Sequence, residues 1–190
     1  MVDKISQALQ TRAPRTLDAS GFKQAAVLAP IQERADGAHL VLTQRAETLN
    51  SHGGQIAFPG GRIEPLDASP LAAGLRESHE EIGLDPAAVR VLGQLDQVTA
   101  ASDYLITPFI GVVPYPYDFR LNLAEVAAVF SVPIAGLLAD GCFKIEPRLH
   151  PPERRDPIYH FYYQDRDIWG ATARIILQVL ELTYGFRPDP

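Results

Sequence analysis

The stretch from Phe58 to Leu84, FPGGRIEPLDASPLAAGLRESHEEIGL, decides how the rest of the chain is read. Ser69 followed by Pro70 is a helix N-cap with proline in the first turn, and Gly83 is the residue type that closes a helix. The spacing predicts a helix from Pro70 to Ile82. Residues three and four apart share a helix face, so Glu77, Glu80 and Glu81 are predicted to converge on one small volume. They stand at the C-terminal end, where the helix dipole already disfavours negative charge. A local rule broken this plainly points to a functional site in which something compensates. A divalent cation is the simplest compensation, because Mg²⁺ takes carboxylate oxygens together with substrate phosphates. The plainer alternative is a solvated acidic face on which Arg76 pairs with Glu80 at i, i+4, a weak stabilisation. Gly60-Gly61, placed just before this helix, makes a turn that can approach a ligand closely and favours phosphate chemistry.

These residues resemble the Nudix box, carried here by Gly61, Asp67, Arg76-Glu77, Ser78-His79, Glu80-Glu81, Ile82 and Gly83-Leu84. Two positions depart from the usual pattern. Asp67 replaces the usual Glu, with one extra residue before Arg76, and Ser78 stands where an apolar residue is usual. Upstream, LVLTQRA at 40–46 and HGGQIAFPGG at 52–61 are similar to the signature of the coenzyme A pyrophosphatase branch of that family. Leu42, Thr43, Arg45, Ala46, Gly54, Phe58, Pro59, Gly60 and Gly61 fall in register, Val41 is a mild change from leucine, and Asn50 occupies a position that is usually basic.

The resemblance implies an α/β fold, a Nudix-type α/β/α sandwich with a central mixed β-sheet. It implies metal-dependent hydrolysis of a diphosphate, with coenzyme A or a derivative cleaved to 4′-phosphopantetheine and adenosine 3′,5′-bisphosphate. The alternatives are another nucleoside diphosphate derivative, such as ADP-ribose or a dinucleotide, and a catalytically silent nucleotide-binding module. The implied catalytic residues are Arg76, Glu77, Glu80 and Glu81. The implied ligands of Mg²⁺ or Mn²⁺ are the Gly60 carbonyl, Glu77, Glu80, Glu81 and Glu125, and the implied substrate contacts are Arg45, His52, Gln55 and Arg62. Arg76 is expected to orient a glutamate, and the base that takes the proton of the attacking water is left open between Glu80 and a neighbouring carboxylate.

The remainder of the chain fits one α/β unit. Its 190 residues, 46% of them hydrophobic, suffice for a single domain over 1–190, with residues 1–15 as an extension whose Ile5 and Leu9 predict a short helix over 3–11. A net charge of −6 argues against a general nucleic-acid binder. The single cysteine, Cys142, excludes an internal disulfide framework and a Cys-rich zinc site. No run of 18 apolar residues exists and the start lacks the apolar centre of a signal peptide, so the expectation is a cytoplasmic protein away from membranes, acting on a small molecule. The oligomeric state is open.

Strands are predicted at Phe22–Ile31, His39–Arg45, Val89–Val98, Tyr104–Val113, Ala127–Val132, Cys142–Ile145 and Ile158–Gln164, with Asp36-Gly37 turning the first hairpin. A short helix over Pro133–Leu138 and a last helix opening at Ile168 complete the set. Tyr115 and Tyr117, in the loop from Pro114 to Leu123, either stack on an adenine or cover the core. Asp103 is a minor carboxylate candidate, and His160 reads as a packed or edge histidine.

Overall fold

The computed structural model describes residues 1–49, 51–147 and 157–188, so Asn50 lies outside the described residues. Its helices are α1 (Val2–Gln10), α2 (Pro70–Ile82) and α3 (Gly170–Tyr184). Its strands are β1 (Lys23–Arg34), β2 (Gly37–Arg45), β3 (Ile56–Ala57), β4 (Gly60–Arg62), β5 (Arg90–Gln94), β6 (Val98–Thr99), β7 (Tyr104–Val113), β8 (Val126–Pro133), β9 (Phe143–Glu146), β10 (Ile158–Tyr163) and β11 (Arg166–Trp169).

β1 is the strand on which the sheet is built. It runs parallel to β7 from Lys23↔Tyr104 to Gln32↔Val113. Its other edge is shared between two antiparallel partners, β4 from Ala25↔Arg62 to Val27↔Gly60 and β2 from Ile31↔Leu40 to Arg34↔Gly37. The order β3-β2-β1-β7-β5, with β8 on β2 and β6 on β7, makes a mixed sheet. Because β1 is covered on both faces, AVLAPI is apolar almost without interruption, as buried strands are. Ala26 and Leu28 face α2, packing with Ala73, Ile82 and Leu84. Ala29 and Ile31 face the opposite layer, with Val2 and Ile5 of α1 and Ala173, Ile176, Val179 and Leu180 of α3. That alternation with period two puts one helix layer on each side of the sheet. A second sheet, β11-β10-β9, packs Phe161 and Ile168 into the α3 side of the core.

Most predicted elements form close to the expected bounds, but the first strand runs on past Ile31 to Arg34, Gly60 and Gly61 lie in strand β4 where the sequence predicts a turn because they pair with β1, and others differ for local reasons. The span Val89–Val98 divides into β5 and β6, because the ladder with β7 is irregular between Val91 and Gly93, where Gly93 has φ +155°, and Asp96 leaves the ladder to accept from Arg12 Nη1 and Arg15 N. Ile168 and Trp169 belong to a strand, paired with Phe161 and His160, and the helix starts after them at Gly170. The short helix is one 3-10 turn, Ala135–Leu138. The hairpin turn is Ala35-Asp36, with Gly37 opening β2.

Helix α2 follows its sequence signals. Ser69 Oγ accepts from Ala72 N at 3.1 Å, and Gly83 takes the left-handed conformation. Ser78 is fully buried and donates from Oγ to Gly74 O at 2.6 Å, which satisfies a polar side chain where an apolar one is usual. Tyr117 donates to Gly83 O and accepts from Asp85 N, with its ring against Phe119, while Tyr115 lies under the Arg34 guanidinium. Of the two roles weighed for these tyrosines, Tyr117 takes the packing one.

Gly60 is the tightest point of the fold. Its φ is +147°, and an added Cβ would lie 2.4 Å from Ala26 O and 2.6 Å from Val27 Cα, both backbone atoms of β1. Gly60→Ala is therefore expected to destabilise the protein by about 3 kcal/mol or more. In urea denaturation this appears as a lower midpoint with an unchanged slope.

Candidate active site

At about 100° per residue, Glu81 sits about 40° round α2 from Glu77, and Glu80 about 60° the other way. That offset separates their environments. Glu81, its side chain 5% exposed, is turned into the sheet, where Gly60 N donates to its Oε2 at 3.1 Å and Arg45 Nη1 stands 3.9 Å from its Oε1. Burial outweighs both favourable contacts and pushes its carboxyl up to about 7. The carboxylate of Glu77 lies over Gly61, where an added Cβ would come within 2.5 Å of it. Burial raises the Glu77 carboxyl as well, while Arg76 pulls it down and the charges of Glu80 and Glu125 push the same way as burial. Glu80, 52% exposed, points away and accepts from Arg76 Nη1 at 2.9 Å.

Helical spacing alone predicts that the three glutamates converge on one small volume, and the structure instead separates Glu80 from the other two. Glu77 and Glu81 line a cavity of about 400 Å³, and Glu80 lies outside its lining. The physical reason is the i, i+4 pairing of Glu80 with Arg76, which draws it to the outer flank of the helix.

Arg76 is the hub of the outer flank. Its Nε and Nη2 donate to Asp67 at 2.9 and 3.1 Å, a two-pronged pair, and Nη1 reaches Glu77 at 3.0 Å as well as Glu80. A further bond from Nη2 to Arg62 O at 3.2 Å ties it to β4. Asp67 also accepts from Glu64 N, so hydrogen bonding from Arg76 and then from that amide holds its carboxyl below the ordinary range, and Asp67 in turn raises the guanidinium. The acid displaced by one residue from its usual place therefore still serves Arg76.

Glu125 enters from the turn before β8. It is half-buried, lines the cavity, accepts from Asn122 Nδ2 at 3.3 Å, and its charge reaches both Glu77 and Glu81. Asn122 N donates to Glu81 O at 2.9 Å, which ties that turn to the end of α2. Arg45, His52, Gln55 and Arg62 line the same cavity, and His52 Nδ1 is 2.9 Å from Gln55 Oε1 on a backbone with φ +59°. Asp103 is not among the lining residues. His160 is packed, with Nδ1 2.9 Å from Asp167.

The rest of the lining escaped the sequence reading: Tyr104, Tyr159, Trp169, Thr172 and Arg174 come from β7, β10, β11 and α3. The available signal was IWGATA at 168–173, which carries no periodicity of its own.

As to a metal, no three His, Cys, Asp or Glu side chains among the described residues form a ready-made cage. The donor chemistry nonetheless fits a hard divalent cation. Glu77, Glu81 and Glu125 bring carboxylate oxygens to one cavity, and burial leaves Glu81 above all short of compensating charge.

A family model described as the NUDIX domain matches residues 22–138. The chain is 38% identical over 194 residues to NudL of Shigella sonnei, described as an uncharacterized Nudix hydrolase, covering 99% of this chain and 97% of that one. It is 41% identical over 171 residues to the protein of the same description from Escherichia coli K12, covering 87% and 85%. Among solved structures, a C. elegans Ap4A hydrolase aligns over 59% of this chain and 81% of its own with TM-score 0.51 and 17% identity. The Nudix hydrolase RenU of M. smegmatis aligns over 60% and 71% with TM-score 0.51 and 24% identity. These two likenesses speak for the fold.

A buried carboxyl raised to about 7 has a stability signature. Its contribution is fully present below the ordinary carboxylate value and is lost as pH rises through about 7, because the folded chain resists ionising it. Chelator-treated Glu81→Gln protein should therefore outlast the parent at pH 8 by an amount of the order of 3 kcal/mol. The difference should fade by the acid end of the titration, as read from thermal midpoints across pH.

Proposed function

The chain belongs to the Nudix hydrolase family, and from that membership we propose that it cleaves the diphosphate of coenzyme A or a derivative to 4′-phosphopantetheine and adenosine 3′,5′-bisphosphate. The observation that carries this reading is that one cavity is lined both by Glu77, Glu81 and Glu125 and by Arg45, His52, Gln55 and Arg62. The second group falls within or beside the stretch that resembles the coenzyme A branch, so the segment that speaks for the substrate and the segment that speaks for the chemistry share a wall.

Glu77, Glu81 and Glu125, with the Gly60 carbonyl, would hold Mg²⁺ or Mn²⁺, and Glu80, which stands outside the cavity lining, would join them by turning in from the flank of α2. When bound, the cation supplies neutralisation of the diphosphate charge and activation of water. The chain's own residues do the rest. Arg45 and Arg62 offer cationic donors to the non-bridging oxygens. Arg76, locked by Asp67, holds Glu77 and Glu80 in place from one guanidinium. The proton of the attacking water would pass to a carboxylate at the cavity, either Glu80 turned in from Arg76 or a neighbour that already lines it. Gly61 leaves space for the Glu77 carboxylate that any side chain would fill.

We read residues 1–190 as one domain, since Val2 and Ile5 share a core with α3. A cytoplasmic setting accords with one free cysteine, half-buried Cys142. No helix among the described residues is long and apolar enough to cross a membrane.

Incubation with coenzyme A and Mg²⁺ or Mn²⁺, with ADP-ribose and a dinucleotide in parallel, should yield 4′-phosphopantetheine by mass only when metal is present. An intact coenzyme A beside a cleaved rival would transfer the reading to that rival. Glu77→Gln and Glu81→Gln should each lower turnover by about a hundredfold or more while the far-ultraviolet spectrum stays unchanged. Asp67→Asn, which removes the charge holding Arg76, should cost about tenfold in the same assay.

A further inference from the structure

The cavity that begins at the box glutamates has another wall built far away in sequence, outside residues 22–138. It includes Tyr159 on β10, Trp169 on β11, and Ala171, Thr172, Arg174 and Ile175 on α3. Thr172 Oγ1 donates to Ile56 O at 3.1 Å, which fixes the start of α3 to β3 and therefore to the carboxylate side of the cavity.

Trp169 is the largest side chain in this wall, and it is 39% exposed. Burying an indole is among the larger stabilising terms a small core can gain, so a tryptophan left open toward a cavity calls for an explanation. Its position is firmly held. Trp169 pairs directly with His160 across β10 and β11, and the two rings stack at 6.3 Å and 18°. His160 is itself buried, stacks on Tyr162 at 6.0 Å and 13°, and has Nδ1 2.9 Å from Asp167. The near-parallel imidazole beside the indole limits its tilt without covering it, and the exposed ring surface lines the cavity.

We propose that Trp169 is the platform on which the purine base of the substrate stacks, with His160 as the positioning residue that holds the indole flat. This rests on the reading of the substrate as a nucleoside diphosphate derivative. A flat, rigid π-face matches a heteroaromatic ring, whereas the branched amide arm of a pantetheine presents no such surface. With the diphosphate at the carboxylates and arginines, the base-bearing arm runs toward β11 and α3.

Trp169 is the only tryptophan in the chain, so intrinsic fluorescence reads the proposed contact directly. The full-length protein with Mg²⁺ is titrated with AMP and, separately, with ribose 5-phosphate, which differs by lacking the base and, like AMP, has no diphosphate to cleave. AMP should quench the emission saturably and ribose 5-phosphate should not. Absence of quenching by AMP, or equal quenching by both, overturns the proposal.

Calorimetry on variants supplies the second reading. Trp169→Ala should weaken AMP about tenfold, in the range of a base stacked on an aromatic ring, and leave ribose 5-phosphate binding as it was. Trp169→Phe should recover most of the loss, and His160→Ala should weaken AMP selectively. An equal loss for both ligands would mean damage to the wall and would overturn the platform. Failure here is distinct from failure of the substrate reading. Coenzyme A left intact while AMP still quenches sinks the latter alone, and coenzyme A cleaved without AMP quenching sinks the former alone.

Discussion

The close approach of Gly60 to the backbone of β1 is the constraint on which the site depends. A residue with a side chain cannot sit 2.4 Å from Ala26 O, so β4 lies flush on β1 only because Gly60 lacks one. That proximity brings the Gly60 amide under α2, where it donates to Glu81. The next residue, Gly61, clears the space that the Glu77 carboxylate takes. Two consecutive glycines therefore set both the depth at which the helix lies on the sheet and the burial of the carboxylates on its inner face.

Burial has an electrostatic cost, and the protein distributes it unevenly. Glu81 is left with one backbone amide and a distant guanidinium, which do not balance its desolvation. Glu77 and Glu80 instead share Arg76, whose own geometry is held by Asp67. The inner end of the array is thus short of positive charge and the outer flank is well supplied. Such an asymmetry suits a site that takes up a cation with an anionic substrate, since the strain relieved on binding is already present in the fold.

The layers around this centre divide the labour. The elements within residues 22–138 carry Glu77, Glu81, Glu125, Arg45 and Arg62, while β10, β11 and α3 close the cavity with Tyr159, Trp169, small side chains and Arg174. The likeness to C. elegans Ap4A hydrolase and to RenU covers about three-fifths of the chain, and the NudL relatives extend the likeness further.

Much was decided by the sequence itself, because the relevant physics is local. Ser69, Pro70 and Gly83 bound α2 through capping and chain conformation, and the burial of β1 on both faces follows from its continuous apolar run. The Arg76–Glu80 pair is likewise a matter of near neighbours, whereas the turn expected at Gly60-Gly61 is strand β4, set by its pairing with β1. Only tertiary structure decided that Glu81 is buried against β4, that Asp67 meets Arg76 despite its shifted spacing, and that Glu125 and Trp169 reach the same cavity as Glu77. Those outcomes depend on which elements pack together. Burial, and the pKa shifts it causes, is a property of atoms brought close by the whole chain and has no signature in the spacing of residues along it.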